Sequence, residues 1–271
     1  MASGAIFVEN IEKVFPPTHV GLRAFLSPFS RPTQRALQSV SFRVESGESF
    51  AILGANGAGK STLLRILTTL LLPTRGRAEV SGHDVIREPV RVRHAVGFHS
   101  GAEVGFYTRL TGRQNLQFFA RLRNLSPKEA GRRIAETAGR VGVTHALDRQ
   151  LRTLSSGTVQ RLSLARAVLH APSVLLLDEP TRSLDPLAAA DFRRFVRDDL
   201  INRHGTTLLF ASHSLTEVEA LADRVALLHA GRLLFCGTLA ELRACTSSGS
   251  TEQAMSQLIG RASGARAESQ P

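Results

Sequence analysis

The chain has little with which to staple or anchor itself. Its 271 residues include two cysteines, Cys236 and Cys245, both toward the C-terminus, and no tryptophan. Two late cysteines cannot frame a disulfide fold, so a reducing compartment is expected. No run approaches the ~18 consecutive apolar residues that cross a bilayer. The opening MASGAIFVENIEKVF lacks the basic-then-apolar layout of a secretory signal. Nor is there a heptad run or a cysteine cluster of the metal-binding kind. What remains is the expectation of a soluble, cytoplasmic chain, one large domain or two small ones. Apolar residues make up 42%, enough for a sizeable core.

Negative charge is also scarce. Lys and Arg number 34 against 23 Asp and Glu, a formal charge of +11, and nearly all the cations are arginine. Such a surplus reflects either composition bias or a basic face toward anionic phosphate, on lipid or nucleic acid, and charge alone does not choose.

Along the chain, AIFVENIEKVF alternates as a strand. Residues 16–36 carry four prolines and three arginines and read as a loop or insertion. LQSVSFRVESGESFAILG predicts two strands, KSTLLRILTTLLL a helix ending at Pro73, and RGRAEVSGHDV a short strand. From about 100 to 172 the pattern is helical. TGRQ (111–114) and SPKE (126–129) have the spacing of helix-capping boxes, as do SLTE (214–217) and TLAE (238–241). SVLLLDEP and TTLLFASH are runs of the kind buried in parallel sheets, and RVALLHAGRLLFCG reads as a hairpin. Together these predict an α/β fold around a mostly parallel sheet, with a helical insert. Residues 246–271 are expected to form a flexible C-terminal tail, with at most a short helix at TEQAMSQLIGR.

The chemistry concentrates in a few stretches. Residues 54–62, GANGAGKST, carry a glycine-rich phosphate loop between an apolar strand and a helix. Gly54, Gly57 and Gly59 let successive N–H groups aim at one concavity, and the helix start adds its positive dipole end. Lys60 is expected to reach the β and γ phosphates, and the Ser61 hydroxyl to ligate Mg²⁺. VLLLDEP delivers Asp178 to a strand end, as a partner of Mg²⁺, and Glu179 beside it as acceptor of a proton from the attacking water. His213 ends another strand, where a neutral imidazole can orient that water.

GANGAGKST, LSSGTVQR, LLLDEPTRSLD and SH, in this order and spacing, resemble the nucleotide-binding subunit of an ABC transporter. The resemblance covers roughly residues 5 to 242. It implies a P-loop NTPase fold: a RecA-like core, an antiparallel β subdomain and an inserted helical subdomain within a domain spanning 1–245. It adds Asn56, Ala58 and Thr62 to the ATP-binding loop. LSSG is similar to the signature that contacts the γ phosphate of ATP held by the other subunit, through Ser155 and Gly157 at a helix start. Ser156 and Thr158 depart from the usual glycine and glutamine. SLD (183–185) resembles the loop that crosses the dimer interface, with Asp185 as its acid, and Phe15 stands where an aromatic stacks on adenine. Gly101 falls where a Mg²⁺-touching glutamine is usual, with Glu103 the nearest group able to replace it.

The resemblance therefore implies an ATPase that forms a homodimer or pseudo-homodimer around ATP and Mg²⁺. It would drive a separate transmembrane permease from the inner leaflet, in exporter style, with no specific nucleic acid expected. Two alternatives stay open at this point. One is a soluble ABC-type ATPase acting on nucleic acid or the ribosome; the other is a nucleotide-gated module that hydrolyses poorly because of Gly101.

Overall fold

The computed structural model describes residues 4–16, 34–100, 105–182, 184–245 and 250–267, without the side chains of 263–267. Residues 17–33 of the basic loop, together with Gly101, Glu103 and Ser183, lie outside the described residues. From the N-terminus run β1 (Ile6–Phe15), β2 (Gln34–Val44), β3 (Ser49–Leu53), α1 (Lys60–Leu67), β4 (Arg75–Val80), β5 (His83–Asp84), α2 (Pro89–Ala95) and β6 (Val96–Ser100). The helical insert follows as α3 (Gly112–Leu122), α4 (Pro127–Arg140) and α5 (Ser156–Val168). Then come β7 (Val174–Asp178), α6 (Pro186–Phe195), β8 (Thr207–Ser212), α7 (Leu215–Leu221), β9 (Arg224–His229), β10 (Arg232–Thr238), α8 (Leu239–Ala244) and α9 (Thr251–Ala267).

The strands divide into two sheets, ordered β2-β1-β4-β5 and β10-β9-β3-β8-β7-β6. The first is antiparallel. The second is parallel except for the β9–β10 hairpin. Every residue of β3 (SFAIL) is buried, because this sheet is covered on both faces. Alternation then sorts side chains between two cores. Phe50 and Ile52 of β3 join Leu209 and Ala211 of β8 in the cluster beneath the antiparallel sheet. Ala51 and Leu53 join Leu208 and Phe210 in the cluster beneath the helices. Phe50 stacks on Phe42 of β2 with ring centroids 5.2 Å apart, locking the two sheets together.

The capping boxes mark real helix starts. Thr111 accepts from the Gln114 N–H while Gln114 accepts from the Thr111 N–H, and Thr238 and Glu241 do the same for α8. Ser126 and Ser214 accept from the N–H of Glu129 and Glu217. Each such cap contributes about 1 kcal/mol. Two expectations need correction. α1 stops at Leu67, well before Pro73, because Thr69 turns into the left-handed region (φ +62°). In the tail, where at most a short helix at TEQAMSQLIGR is expected, the helix is longer and runs over Thr251–Ala267. Ala254, Met255, Leu258 and Ile259 recur at helical spacing and pack on the core, and Thr251 donates to Glu219 at 2.9 Å.

The insert meets the sheet at β6. His99 is wholly buried there, its Nδ1 3.0 Å from Ser163 Oγ of α5. Burial first, then the Arg166 charge, lower its pKa from 6.5 to about 3. His170, just beyond α5, is lowered to about 4, by burial and then by Arg123. Both folded-state values lie below the unfolded one, so the unfolded chain takes up protons that the folded chain refuses. The stability these histidines contribute is therefore whole above pH 6.5 and is lost as pH falls below it. The melting temperature is expected to drop between pH 6.5 and about 5, above the ordinary carboxylate range. The drop should be shallower in His99→Asn, and a variant slope equal to the parent's would exclude this assignment.

Candidate functional site

β3 ends at Leu53 and the phosphate loop begins. Gly57 and Gly59 hold φ of +80° and +110°, a region that side chains rarely enter. Ala58 N–H donates to Ala55 O at 3.1 Å, closing the turn. No side chain caps α1 at Gly59, so the first-turn N–H groups face the loop's concavity. Lys60 folds back over the loop and is buried. Its Nζ donates to Gly54 O at 2.7 Å and Ala55 O at 3.1 Å, and lies 3.4 Å from Glu179 Oε1.

The acids arrive on β7. Ser61 Oγ donates to Asp178 Oδ1 at 3.0 Å, tying the first turn of α1 to the strand end. Burial raises the Asp178 pKa, while the Ser61 hydrogen bond works the other way. Glu179 sits at φ +47°, outside the strand conformation, and its N–H donates to Ala211 O of β8 at 3.0 Å. That turn separates the two carboxylates. Glu179 Oε1 is 3.2 Å from Nδ1 of His213, which is exposed just past β8. Glu179 Oε2 is 3.5 Å from Arg182 Nη1, a charge contact.

These groups open into a cavity of about 740 Å³, within the range of ligand pockets. Its walls bring together Phe15, Asn56, Gly57, Gly59, Lys60, Ser61, Thr62, Asp178 and Glu179. Phe15 closes β1, with Lys13 Nζ 5.1 Å from its ring centroid. Gly54 and Ala58 shape the loop from behind without lining the cavity. Six further lining residues are not among the expected site residues: Gln34, Arg35, Ala36, Arg65, Ser100 and Arg182. Spacing alone locates two of them. Arg65 lies one helical turn beyond Ser61, and Arg182 one tight turn beyond Glu179.

The signature lies elsewhere on the surface. Ser155 caps α5, accepting from Thr158 N–H at 3.3 Å, and its Oγ lies 2.9 Å from the Thr158 hydroxyl. Ser155 and Ser156 are exposed, and Ser155, Ser156 and Gly157 are all outside the cavity lining. Asp185 caps α6 by accepting from Leu187 and Ala188 N–H at 3.1 and 2.9 Å.

A second hollow, of about 280 Å³, is lined by residues of β6, α3 and α5. Its apolar floor includes Phe98, Phe119 and Leu122, and its rim carries Arg93, Arg123 and Arg166. Arg93 donates to Thr69 Oγ1 and Arg123 to the Arg93 carbonyl, both neutral acceptors. Burial, then the Arg93 charge, lowers the Arg123 pKa. Among the described residues no helix is long and apolar enough to cross a membrane.

A family model described as "ABC transporter" matches residues 37–182. The chain is 39% identical over 208 residues to the ABC transporter ATP-binding protein NatA of Bacillus subtilis (strain 168), covering 77% of this chain and 84% of that one. It is 42% identical over 213 residues to a daunorubicin resistance ATP-binding protein, DrrA3, of Streptomyces coeruleorubidus, covering 79% of this chain and 66% of that one. Among solved structures, CbiO1 of Clostridium perfringens, part of the ABC transporter complex CbiONQ, aligns with a TM-score of 0.74 at 25% identity. The alignment covers 89% of this chain and 91% of that one. The chain belongs to the ABC transporter family, and it is an ATP-binding, ATP-hydrolysing member.

The two loop glycines should respond differently to alanine. A Cβ on Gly57 meets nothing within 4 Å, whereas one on Gly59 would stand 2.5 Å from Ala36 O and 2.9 Å from Leu37 Cδ2. Gly57→Ala is expected to cost only its backbone strain, about 1–2 kcal/mol in urea unfolding. Gly59→Ala should cost more and weaken ATP binding as β2 is pushed away. Equal costs would contradict this packing.

Proposed function

We propose that the chain is the motor of a membrane exporter, acting as a homodimer or pseudo-homodimer on a separate permease at the inner face of the membrane. One observation carries the dimer. The phosphate loop, Asp178 and Glu179 share a cavity, while the signature opens an exposed helix end outside it. Hydroxyls and free N–H groups at a helix start are an anion site without an anion from their own chain. A second copy related by a two-fold axis supplies the triphosphate, and receives the same service in return.

Within each half, the loop N–H groups and Lys60 hold the β and γ phosphates, and Phe15 stacks on adenine. Glu179 accepts the proton of the attacking water and His213 orients that water. Ser61 and Asp178 suit Mg²⁺, since two hard oxygen donors 3.0 Å apart face the cavity and burial leaves the Asp178 carboxylate in want of a positive charge. Mg²⁺ supplies neutralisation of phosphate charge when bound.

Two features support a permease partner. The hollow beside β6 is apolar and rimmed by Arg93, Arg123 and Arg166, which suits an amphipathic helix bearing a carboxylate. The charge of +11 and the basic composition of residues 16–36 suit work beside an anionic leaflet. Export is supported by the resistance protein among the relatives, which the chain matches over 66% of its length.

Glu179→Gln is expected to slow ATP hydrolysis by roughly 10²- to 10⁴-fold and to trap an ATP-bound dimer in size-exclusion chromatography. Parent-like turnover with no trapped dimer would remove Glu179 from the base role. Tagged protein isolated from detergent-solubilised membranes should bring down a multi-span membrane protein, which Arg123→Glu releases while basal hydrolysis persists. Equal recovery with the charge reversed would exclude the hollow as the docking site.

A further inference from the structure

The two sites just described are joined through the β6 backbone and a line of side chains on its other face. Ser100, at the end of β6, lines the nucleotide cavity and pairs in register with Asp178. The preceding residue, His99, is wholly buried, its Nδ1 3.0 Å from Ser163 Oγ. Arg166 Nη2 donates to the same Ser163 Oγ at 3.3 Å. The Arg166 guanidinium then lies over the rings of Phe106 and Phe119, 4.8 and 4.9 Å from their centroids, on the rim of the arginine-bearing hollow.

A guanidinium can only donate, so Ser163 Oγ accepts from Arg166. The same hydroxyl bonds His99 Nδ1, and the imidazole tautomer sets which of the two donates. The imidazole is neutral, since burial holds its pKa at about 3, and so carries one donor and one acceptor nitrogen. Space-filling does not account for the arrangement. Gln160 and Ser163 lie one turn apart on α5 and are both buried at the same face, where leucine would stabilise more cheaply.

We infer that His99 is a positioning residue that couples the nucleotide cavity to the docking hollow: a displacement of β6 passes through Ser163 to Arg166 and the aromatic face. This rests on the nucleotide and docking readings above, but its test needs no permease. Tyr107 is the sole tyrosine of a chain without tryptophan. It meets Phe118 edge-on at 5.2 Å, and Phe118 meets Phe119 at 5.3 Å. Intrinsic emission therefore reports this face alone.

The experiment adds ATP and Mg²⁺ to the full chain, follows Tyr107 emission, and measures affinity separately with a fluorescent ATP analogue. The parent's emission should change on binding. His99→Leu and Ser163→Ala should each shrink the change by about threefold or more, with affinity within about twofold of the parent. His99→Asn, whose amide can donate or accept in place of Nδ1, should keep the change. Ser163→Ala removes a single hydroxyl and carries the test should His99→Leu fail to fold. An undiminished change in Ser163→Ala overturns the coupling, as does emission that falls only in step with affinity. So does a parent that binds ATP without any change in emission. A parent that binds no ATP overturns the nucleotide reading itself, and the affinity measurement tells the two apart.

Discussion

The buried ammonium of Lys60 is the charge around which the nucleotide site is arranged. An ammonium removed from water is costly unless its protons are bonded and its charge opposed. Here two backbone carbonyls of the phosphate loop take hydrogen bonds, and Glu179 Oε1 stands 3.4 Å away. Those partners come from separate places in the chain, residues 54–55 and residue 179. They meet because β3 and β7 flank β8 in one parallel sheet, so their carboxyl ends emerge along one edge. Ser61 and Asp178 repeat the pairing a residue away on each side. The sheet order thus fixes the cavity before any loop is considered.

Much of this was legible in the sequence, for identifiable reasons. Glycine-rich loops and capping boxes are local: their geometry is dictated within four to eight residues, and GANGAGKST, TGRQ and TLAE say nearly all there is to say. Buried parallel strands announce themselves by continuous apolar runs such as VLLLD. What was not legible depends on distant partners. Arg35 and Ser100 look like ordinary polar residues until β2 and β6 bring them to one cavity. His99 reads as an odd polar residue in AVGFHS, and only the packing of α5 gives it Ser163. The full length of α9 is hidden because its partly or wholly buried positions, Ala254, Met255, Leu258 and Ile259, are set among Ser, Gln and Gly with no capping box ahead of them. The helix is held by tertiary contact more than by propensity.

The arginine surplus also acquires a distribution. Part of it is spent locally: Arg132 and Arg133 on Glu129 within α4, and Arg140 on Asp199 beyond α6. Exposed pairs within one helix contribute little, a few tenths of a kcal/mol each. Arg93 and Arg123 are different, because their bonds go to neutral acceptors, and burial lowers the pKa of Arg123. Net charge alone cannot separate these cases. A cation held near another cation, over an apolar floor, is more informative than the overall count of +11.

The adjacent acids Asp178 and Glu179 are kept distinct by backbone strain. A residue with a side chain at φ +47° carries roughly 1–3 kcal/mol that its surroundings must offset. The offset is visible, since the Glu179 N–H is held by Ala211 O at 3.0 Å. The turn leaves Asp178 facing Ser61 and sends Glu179 toward His213 and Arg182. Ala211 lies one residue before the end of β8, and His213 lies one residue past it. A single strand therefore clamps the backbone of Glu179 and carries the imidazole opposite its carboxylate. Because β8 also pairs with β3, which leads into the phosphate loop, the distances among loop, carboxylate and imidazole are set by one register. A slip of that register would misplace all three together, which is why the strained turn lies beside one of the two central strands of the sheet.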